Sequence, residues 1–181
     1  MILISHNCLA GHLYHLIGQK YACPFIWTVI DFNSIKTLIT EWDKINFKNY
    51  RLEKDDKWNF SIIIDDKIKV QYVHYKFDST SSILVKKGPG DICYNRIWEY
   101  IISKYEERIN RMNKETSKPI FCIANFNTIF PDAIYTEEQL KELEKYENVK
   151  ILKGCEKFEP MPTAIQFYNN FLRKWCIIIN E

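Results

Sequence analysis

No charge of either sign dominates this sequence. Its 25 Lys and Arg stand against 23 Asp and Glu, a formal net charge of +2 over 181 residues, where a nucleic-acid-binding domain normally carries a strong basic excess. That partner class is excluded. No run approaches the roughly 18 consecutive apolar residues of a membrane-spanning helix, so no transmembrane segment is expected. The N-terminus lacks a basic region ahead of its apolar residues, and Ser5-His6-Asn7 interrupts them after Ile4, which argues against a signal peptide. None of the six cysteines stands in a Cys-x-x-Cys pair, so a zinc ribbon or thioredoxin-type site is unsupported. Lys86-Lys87-Gly88-Pro89-Gly90 lacks the Gly-Lys-Ser/Thr of a P-loop and reads as a turn. There is no internal repeat and no linker long enough to divide the chain.

What is present suits one α/β domain over residues 1–181. The composition is 46% hydrophobic and 15% aromatic, enough to build a core without disulfide or metal staples. Cys122 and Cys176 lie in apolar runs, where a thiol is a small hydrophobe. The expected compartment is the reducing cytoplasm, and no motif calls for a cofactor.

Residues 2–4 read as a short buried strand. Asn7 then caps a helix over residues 8–17, closed by Gly18. Leu9, Leu13, Leu16 and Ile17 share its packing face, while Cys8, His12 and His15, at i, i+4 and i+7, lie on another face roughly 120° away. Residues 25–30 read as a buried strand or extended segment, and Ile35, Leu38, Ile39 and Trp42 mark an amphipathic helix capped near Asn33. Residues 61–64 and 68–75 flank Asp65-Asp66-Lys67 as a β-hairpin, followed by a loop over 79–90 rich in Ser, Lys and Gly. Asp91 caps the longest predicted helix, to residue 112, with Trp98, Ile101 and Tyr105 inward. A strand over 119–124, a helix capped by Thr136, a strand over 149–152 and a helix over 162–175 complete the pattern. Alternating strands and helices predict a three-layer α/β sandwich with a mixed, mostly parallel sheet containing one hairpin.

Cys8 is the leading chemical candidate. Between a strand end and a helix start, free backbone N–H groups and the helix dipole stabilise a thiolate, and N–H groups at Leu9 and its neighbours would hold an oxyanion. His74 is expected at the C-terminal end of a strand, the edge where functional groups gather in open α/β sheets. Were that strand parallel to residues 2–4 in one sheet, the two residues would emerge together. Asn125 or Asn127, after the 119–124 strand, or Asp78 would orient the imidazole. The order Cys…His…Asn is that of papain-like enzymes. Gly11, His12, Tyr14, His15 and Trp27 are the candidate substrate-binding residues, with Tyr21 adding to an aromatic cleft. Zinc is an alternative use of Cys8, His12 and His15, because i, i+4 spacing brings two ligands to one ion. Lys104, Arg108 and Arg111 form a basic stripe that could grip a phosphate or carboxylate, with a solvated helix face as the favoured reading.

The stretch Ile4-Ser5-His6-Asn7-Cys8-Leu9-Ala10-Gly11, followed by Tyr14, Gly18, Tyr21 and Pro24-Phe25-Ile26, resembles the opening of a bacterial exopolysaccharide-biosynthesis family of unknown function. That opening reads Ser-Asn-Asn-Cys-x-Gly-Gly, then Tyr, Leu-Gly, Tyr and Ser-Pro-Phe. Val73-His74-Tyr75 resembles its later His-Tyr, and residues 104–110 partly resemble its Arg-Arg-x-x-Arg-Ile-Asn helix. Pro24-Phe25-Ile26-Trp27 is also similar to the Pro-Phe-Asp-Trp of the putative papain-like cysteine peptidases. The chain departs from these patterns at His6, Ala10 and Ile26, while Cys8 and His74 are kept. The resemblance spans about the first 125 residues and implies a role in polysaccharide assembly. The expectation is therefore a cysteine-dependent acyltransferase or hydrolase acting on a small-molecule or glycan substrate. A non-catalytic carbohydrate-pathway binding protein is the alternative.

Overall fold

In the computed structural model, residues 1–7, 9–54, 59–76, 94–124 and 134–151 are described; for residues 12, 16, 54, 59, 73–76 and 94–98 the description covers the backbone alone. The predicted loop over 79–90, the Asp91 cap and the helix over 162–175 lie outside the described residues.

Among the described residues the strands form two sheets, which corrects the expectation of a single, mostly parallel one. Three strands, β1 (Leu3–Ile4), β6 (Ile120–Ile123) and β7 (Val149–Ile151), make a parallel sheet in the order β1-β6-β7. The other four, β2 (Thr28–Ile30), β3 (Tyr50–Lys54), β4 (Asn59–Ile64) and β5 (Ile68–Lys76), make an antiparallel sheet in the order β2-β5-β4-β3. The physical reason lies in the connections. A parallel neighbour needs a crossover of about a dozen residues or more, and the links from β3 to β4 and from β4 to β5 are far too short. Their pairings, Tyr50 with Ile64 and Ile64 with Ile68, are antiparallel. At the second link Asp65 and Asp66 both take φ 53, and Lys67 N–H donates to the Ile64 carbonyl at 3.1 Å. Those are the demands of a type I′ turn, whose twist matches that of the strands it joins.

The helices are α1 (Leu9–Leu16), α2 (Phe32–Glu41), α3 (Tyr94–Met112) and α4 (Glu137–Leu143). α1 ends where Gly18 adopts φ 67. Gly18 N–H donates to the His15 carbonyl and Gln19 N–H to the Tyr14 carbonyl, the two bonds of a Schellman cap. α2 is capped by Asp31, whose carboxylate accepts from Ser34 N–H at 2.9 Å, two residues before the expected Asn33. The Ser34 hydroxyl accepts in turn from Lys69 N–H at 2.9 Å and so ties α2 to β5. α4 carries a full capping box between Thr136 and Gln139. Of the segment 25–30, only Thr28–Ile30 is strand.

One core joins both sheets. Leu3, Ile4, Phe121 and Ile123 from the parallel sheet are buried with Phe60, Ile62, Ile64, Ile68 and Val70 from the antiparallel one. α1 contributes Leu9, Leu13 and Tyr14, all at 0% exposure, while His15 is exposed. α3 contributes Ile101, Tyr105, Ile109 and Met112. The Tyr105 hydroxyl donates to the Phe47 carbonyl at 3.0 Å, the partner that a buried phenol requires. Among the described residues, no helix is long and apolar enough to cross a membrane.

The two faces of α1 set a stability test. Leu13→Ala should cost about 2–5 kcal/mol, the range for a fully buried leucine. His15→Ala should stay within about 0.5 kcal/mol, as at an exposed site. Urea unfolding of the two variants against the wild type checks the difference.

Candidate functional site

β1 ends at Ile4, and the next three residues are polar yet buried: Ser5 at 0%, His6 at 0% and Asn7 at 5% exposure. Buried polar groups are costly unless bonded, and this turn makes a series of hydrogen bonds. The Ser5 hydroxyl donates to the Asn7 carbonyl and accepts from Ala10 N–H, the latter at 2.9 Å. Asn7 Oδ1 accepts from Leu9 N–H at 3.1 Å. Its Nδ2 donates to the Ala124 carbonyl at 2.9 Å and lies 3.4 Å from His6 Nε2. The His6 carbonyl accepts from Ile30 N–H at 3.0 Å, and its ring lies 4.3 Å from that of Tyr135. The Tyr135 hydroxyl donates to the Ile30 carbonyl at 2.8 Å. One turn thus gathers the carboxyl ends of β1 and β6, the start of α1 and the end of β2.

Cys8, Asn125, Asn127 and Asp78 lie outside the described residues. Their described neighbours are Asn7 and Leu9, on either side of position 8, and Ala124, immediately before Asn125. Leu9 and Ala10 differ from expectation. Their N–H groups are already taken by Asn7 Oδ1 and Ser5 Oγ, so they are not free oxyanion donors. Asn7 is the cap the sequence indicated, and satisfying that N–H is what a cap does.

His74 lies within β5, which continues to Lys76, and not at a strand end. β5 belongs to a different sheet from β1, so the argument from a shared parallel edge does not apply. Its local setting is a break in register: Phe60 pairs with Tyr72 but Asn59 with Lys76, leaving 73–75 opposite no β4 residue.

Three of the proposed substrate-binding residues come together on α1. A Cβ on Gly11 would lie 2.9 Å from Trp27 Cε2 and 3.2 Å from Ile26 Cγ2, so only glycine lets the indole approach. The Trp27 ring is 6.2 Å from that of His15, and His15 Nε2 is 2.6 Å from the Tyr21 hydroxyl. Tyr14 touches this group through the Tyr21 ring, which it meets edge to face at 5.7 Å. It is fully buried, and its hydroxyl accepts from Leu3 N–H at 2.9 Å and donates to the Met1 carbonyl at 3.1 Å. That placement makes it a clamp between α1 and β1. The side chain of His12 is outside the description.

For the zinc alternative, His15 is bonded to Tyr21, and the side chains of Cys8 and His12 are not described. Among the described residues, no group of three or more His, Cys, Asp or Glu is gathered for a metal. In the basic stripe, Lys104 and Arg111 both pair with Glu107, at 2.9 and 3.2 Å, whereas Arg108 turns to the Ile26 carbonyl, 3.5 Å away.

Among the described residues, two clefts lie elsewhere. One of about 320 Å³ is lined by Ile2, Trp42, Phe47, Met112, Thr116 and Lys118, at the amino ends of β1 and β6. The other, of about 210 Å³, contains Tyr50 and Glu106, joined by a 2.8 Å hydrogen bond. Burial, and then that bond to a carboxylate, push the Tyr50 phenol up to about 12. Sequence reasoning missed His6, Ser5 and Tyr135 as parts of the polar turn. The signal for the first two was the interruption of an apolar start by three polar residues; for Tyr135 there was none.

Compared with models of known protein families and with curated proteins, the chain matches none.

Cys23 and Cys122 are fully buried. Burial pushes the Cys23 thiol up from 9.0 to about 12, and Cys122 further. Neither should react with iodoacetamide near neutral pH until the chain is unfolded, which peptide mass mapping with and without urea will show. The raised folded-state value also fixes a sign. The stability Cys23 confers is whole below pH 9 and falls as pH rises towards 12. The urea midpoint of Cys23→Ala should therefore decline less than that of the wild type above pH 9.

Proposed function

We propose that this chain is a cysteine-dependent acyltransferase or hydrolase, working in the cytoplasm on a step of exopolysaccharide or capsule biosynthesis. The observation that carries the reading is the buried, hydrogen-bonded turn Ser5-His6-Asn7, which leads into position 8 from the carboxyl end of a parallel strand. Functional groups of parallel sheets collect at that edge, and a nucleophile held by a locked turn needs little reorganisation to react. The register break around His74 gives further support, since such irregularities re-aim side chains beside active sites. The polysaccharide pathway follows from the resemblance of residues 4–26 to the exopolysaccharide family.

Cys8 is the nucleophile, His74 the general base and then the acid, and Asn125 or Asn127 the orienting group, with Asp78 as a further option. The Cys8 thiol passes its proton to the imidazole, and sulfur attacks the acyl carbonyl. The bond to the leaving group breaks, and that group takes the proton from the imidazolium. Water or a sugar hydroxyl then attacks the thioester, its proton returning through the imidazole as the thiol is released. The oxyanion donors must be other than the occupied N–H groups of Leu9 and Ala10.

A second reading, a non-catalytic carbohydrate-binding protein, is favoured by one observation: Gly11, His15 and Trp27 stand together with Tyr21 on the outer side of α1.

Alkylation rates against pH separate the two. With an imidazole partner, Cys8 should be the first thiol labelled, with a midpoint at least one unit below the ordinary value of about 8.5, and His74→Ala should move that midpoint upward. An ordinary midpoint for Cys8, or faster labelling of Cys93 or Cys155, defeats the catalytic reading.

A further inference from the structure

Arg108 is the feature neither reading uses. Its neighbours in the stripe, Lys104 and Arg111, share Glu107. Among the described residues, no carboxylate lies within 4.0 Å of Arg108. Its guanidinium sits 5.4 Å from the centre of the Tyr21 ring, with one Nη on the Ile26 carbonyl. Aromatic and backbone contacts hold the charge in place. The surroundings are selective: Tyr21 is bonded to His15, the His15 and Tyr21 rings meet edge to face at 5.5 Å, and Trp27 lies beyond His15.

Trp27 is held there at a conformational cost. It takes φ 63, a left-handed backbone that a bulky residue rarely adopts and that persists only where the surroundings impose it. The glycine at position 11 removes the one atom that would push the indole away. The indole is half-buried and so partly open to solvent. A fixed aromatic surface, two hydrogen-bonding rings and a planar cation with no carboxylate in ion-pair contact among the described residues have one chemical complement. Indole and phenol give an apolar platform with polar edges, His15 and Tyr21 offer hydrogen bonds to hydroxyls, and a guanidinium fork matches a carboxylate or a phosphate.

We propose that His15, Tyr21, Trp27 and Arg108 form a subsite for an acidic sugar, its ring along Trp27 and its anionic group on Arg108. The site deepens the polysaccharide reading above, from which the choice of a sugar is taken, but the binding it describes does not require Cys8. The anion is a carboxylate, as in a uronic acid, or a phosphate, as in a sugar 1-phosphate.

Calorimetric titration of the full chain tests this with four probes: a uronic acid disaccharide, a hexose 1-phosphate, a neutral disaccharide and inorganic phosphate. At least one acidic sugar should bind ten times more tightly than both the neutral sugar and inorganic phosphate, and the preferred one identifies the anion. Arg108→Gln and Trp27→Gly should each weaken that binding at least tenfold. Glycine at position 27 relieves the backbone, and circular dichroism will verify that each variant is folded. His15→Ala, at an exposed position, replaces either variant that fails to fold and should also weaken binding. Equal binding of inorganic phosphate or of the neutral sugar, no binding of either acidic sugar, or wild-type affinity in the folded variants overturns the proposal. Cys8→Ala keeps the two readings apart. Acidic-sugar binding retained there, with an ordinary Cys8 thiol in the wild type, leaves the subsite standing and removes catalysis. An activated Cys8 without such binding does the reverse.

Discussion

The side chain of Asn7 makes three connections that the rest of the molecule depends on. Its oxygen caps α1 at Leu9, its nitrogen reaches the last carbonyl of the β6 segment at Ala124, and the same nitrogen borders His6. Through the His6 carbonyl and Ile30 N–H, the turn also reaches the antiparallel sheet. Because all of this is buried, each bond is hard to replace by water, and loss of one partner would leave the other unsatisfied. An apolar turn could fill the same volume, but it could not set the positions of four chain segments relative to one another.

Several local elements were legible in the sequence because their causes are local. Gly18 ends α1 because only a residue tolerant of positive φ fits there, and Thr136 with Gln139 writes its capping box plainly. The hairpin around Asp65-Asp66 follows from residues that accept the left-handed region. The division into two sheets was not legible. β3 was passed over although Tyr50 and Leu52 alternate with Arg51 and Glu53, the period-2 pattern of a half-exposed edge strand. Without β3, the hairpin looked like an addition to a parallel sheet and not part of a sheet of its own.

The candidate site was legible in part for a related reason. Asn7 as cap and Gly11, His15 and Trp27 as neighbours could be anticipated from helix periodicity and composition. The full burial of Tyr14 is not legible, because helix spacing shows which residues share a face but not how wide the buried face is. Ala10, Leu13 and Tyr14 are all at 0% exposure, a broader apolar arc than the leucines alone define. The occupied N–H groups at Leu9 and Ala10 show a second limit. A polar side chain at a helix start reads equally as a cap or as part of an active site, and only the bonds decide.

Among the described residues, the pairing of β1 with β6 is the longest-range strand contact, Leu3 lying beside Ile120, while every strand of the antiparallel sheet falls between them in the chain. Loop-closure entropy opposes that contact until the intervening residues have compacted. The hairpins, with their short separations, can form first and shorten the effective loop. On a ribosome, the first strand emerges long before its partner exists. Leu3 and Ile4 must then wait, apolar and unpaired, until Ile120 and Phe121 have been added. That is a period in which an early-folding antiparallel sheet, or a chaperone, has to shelter them.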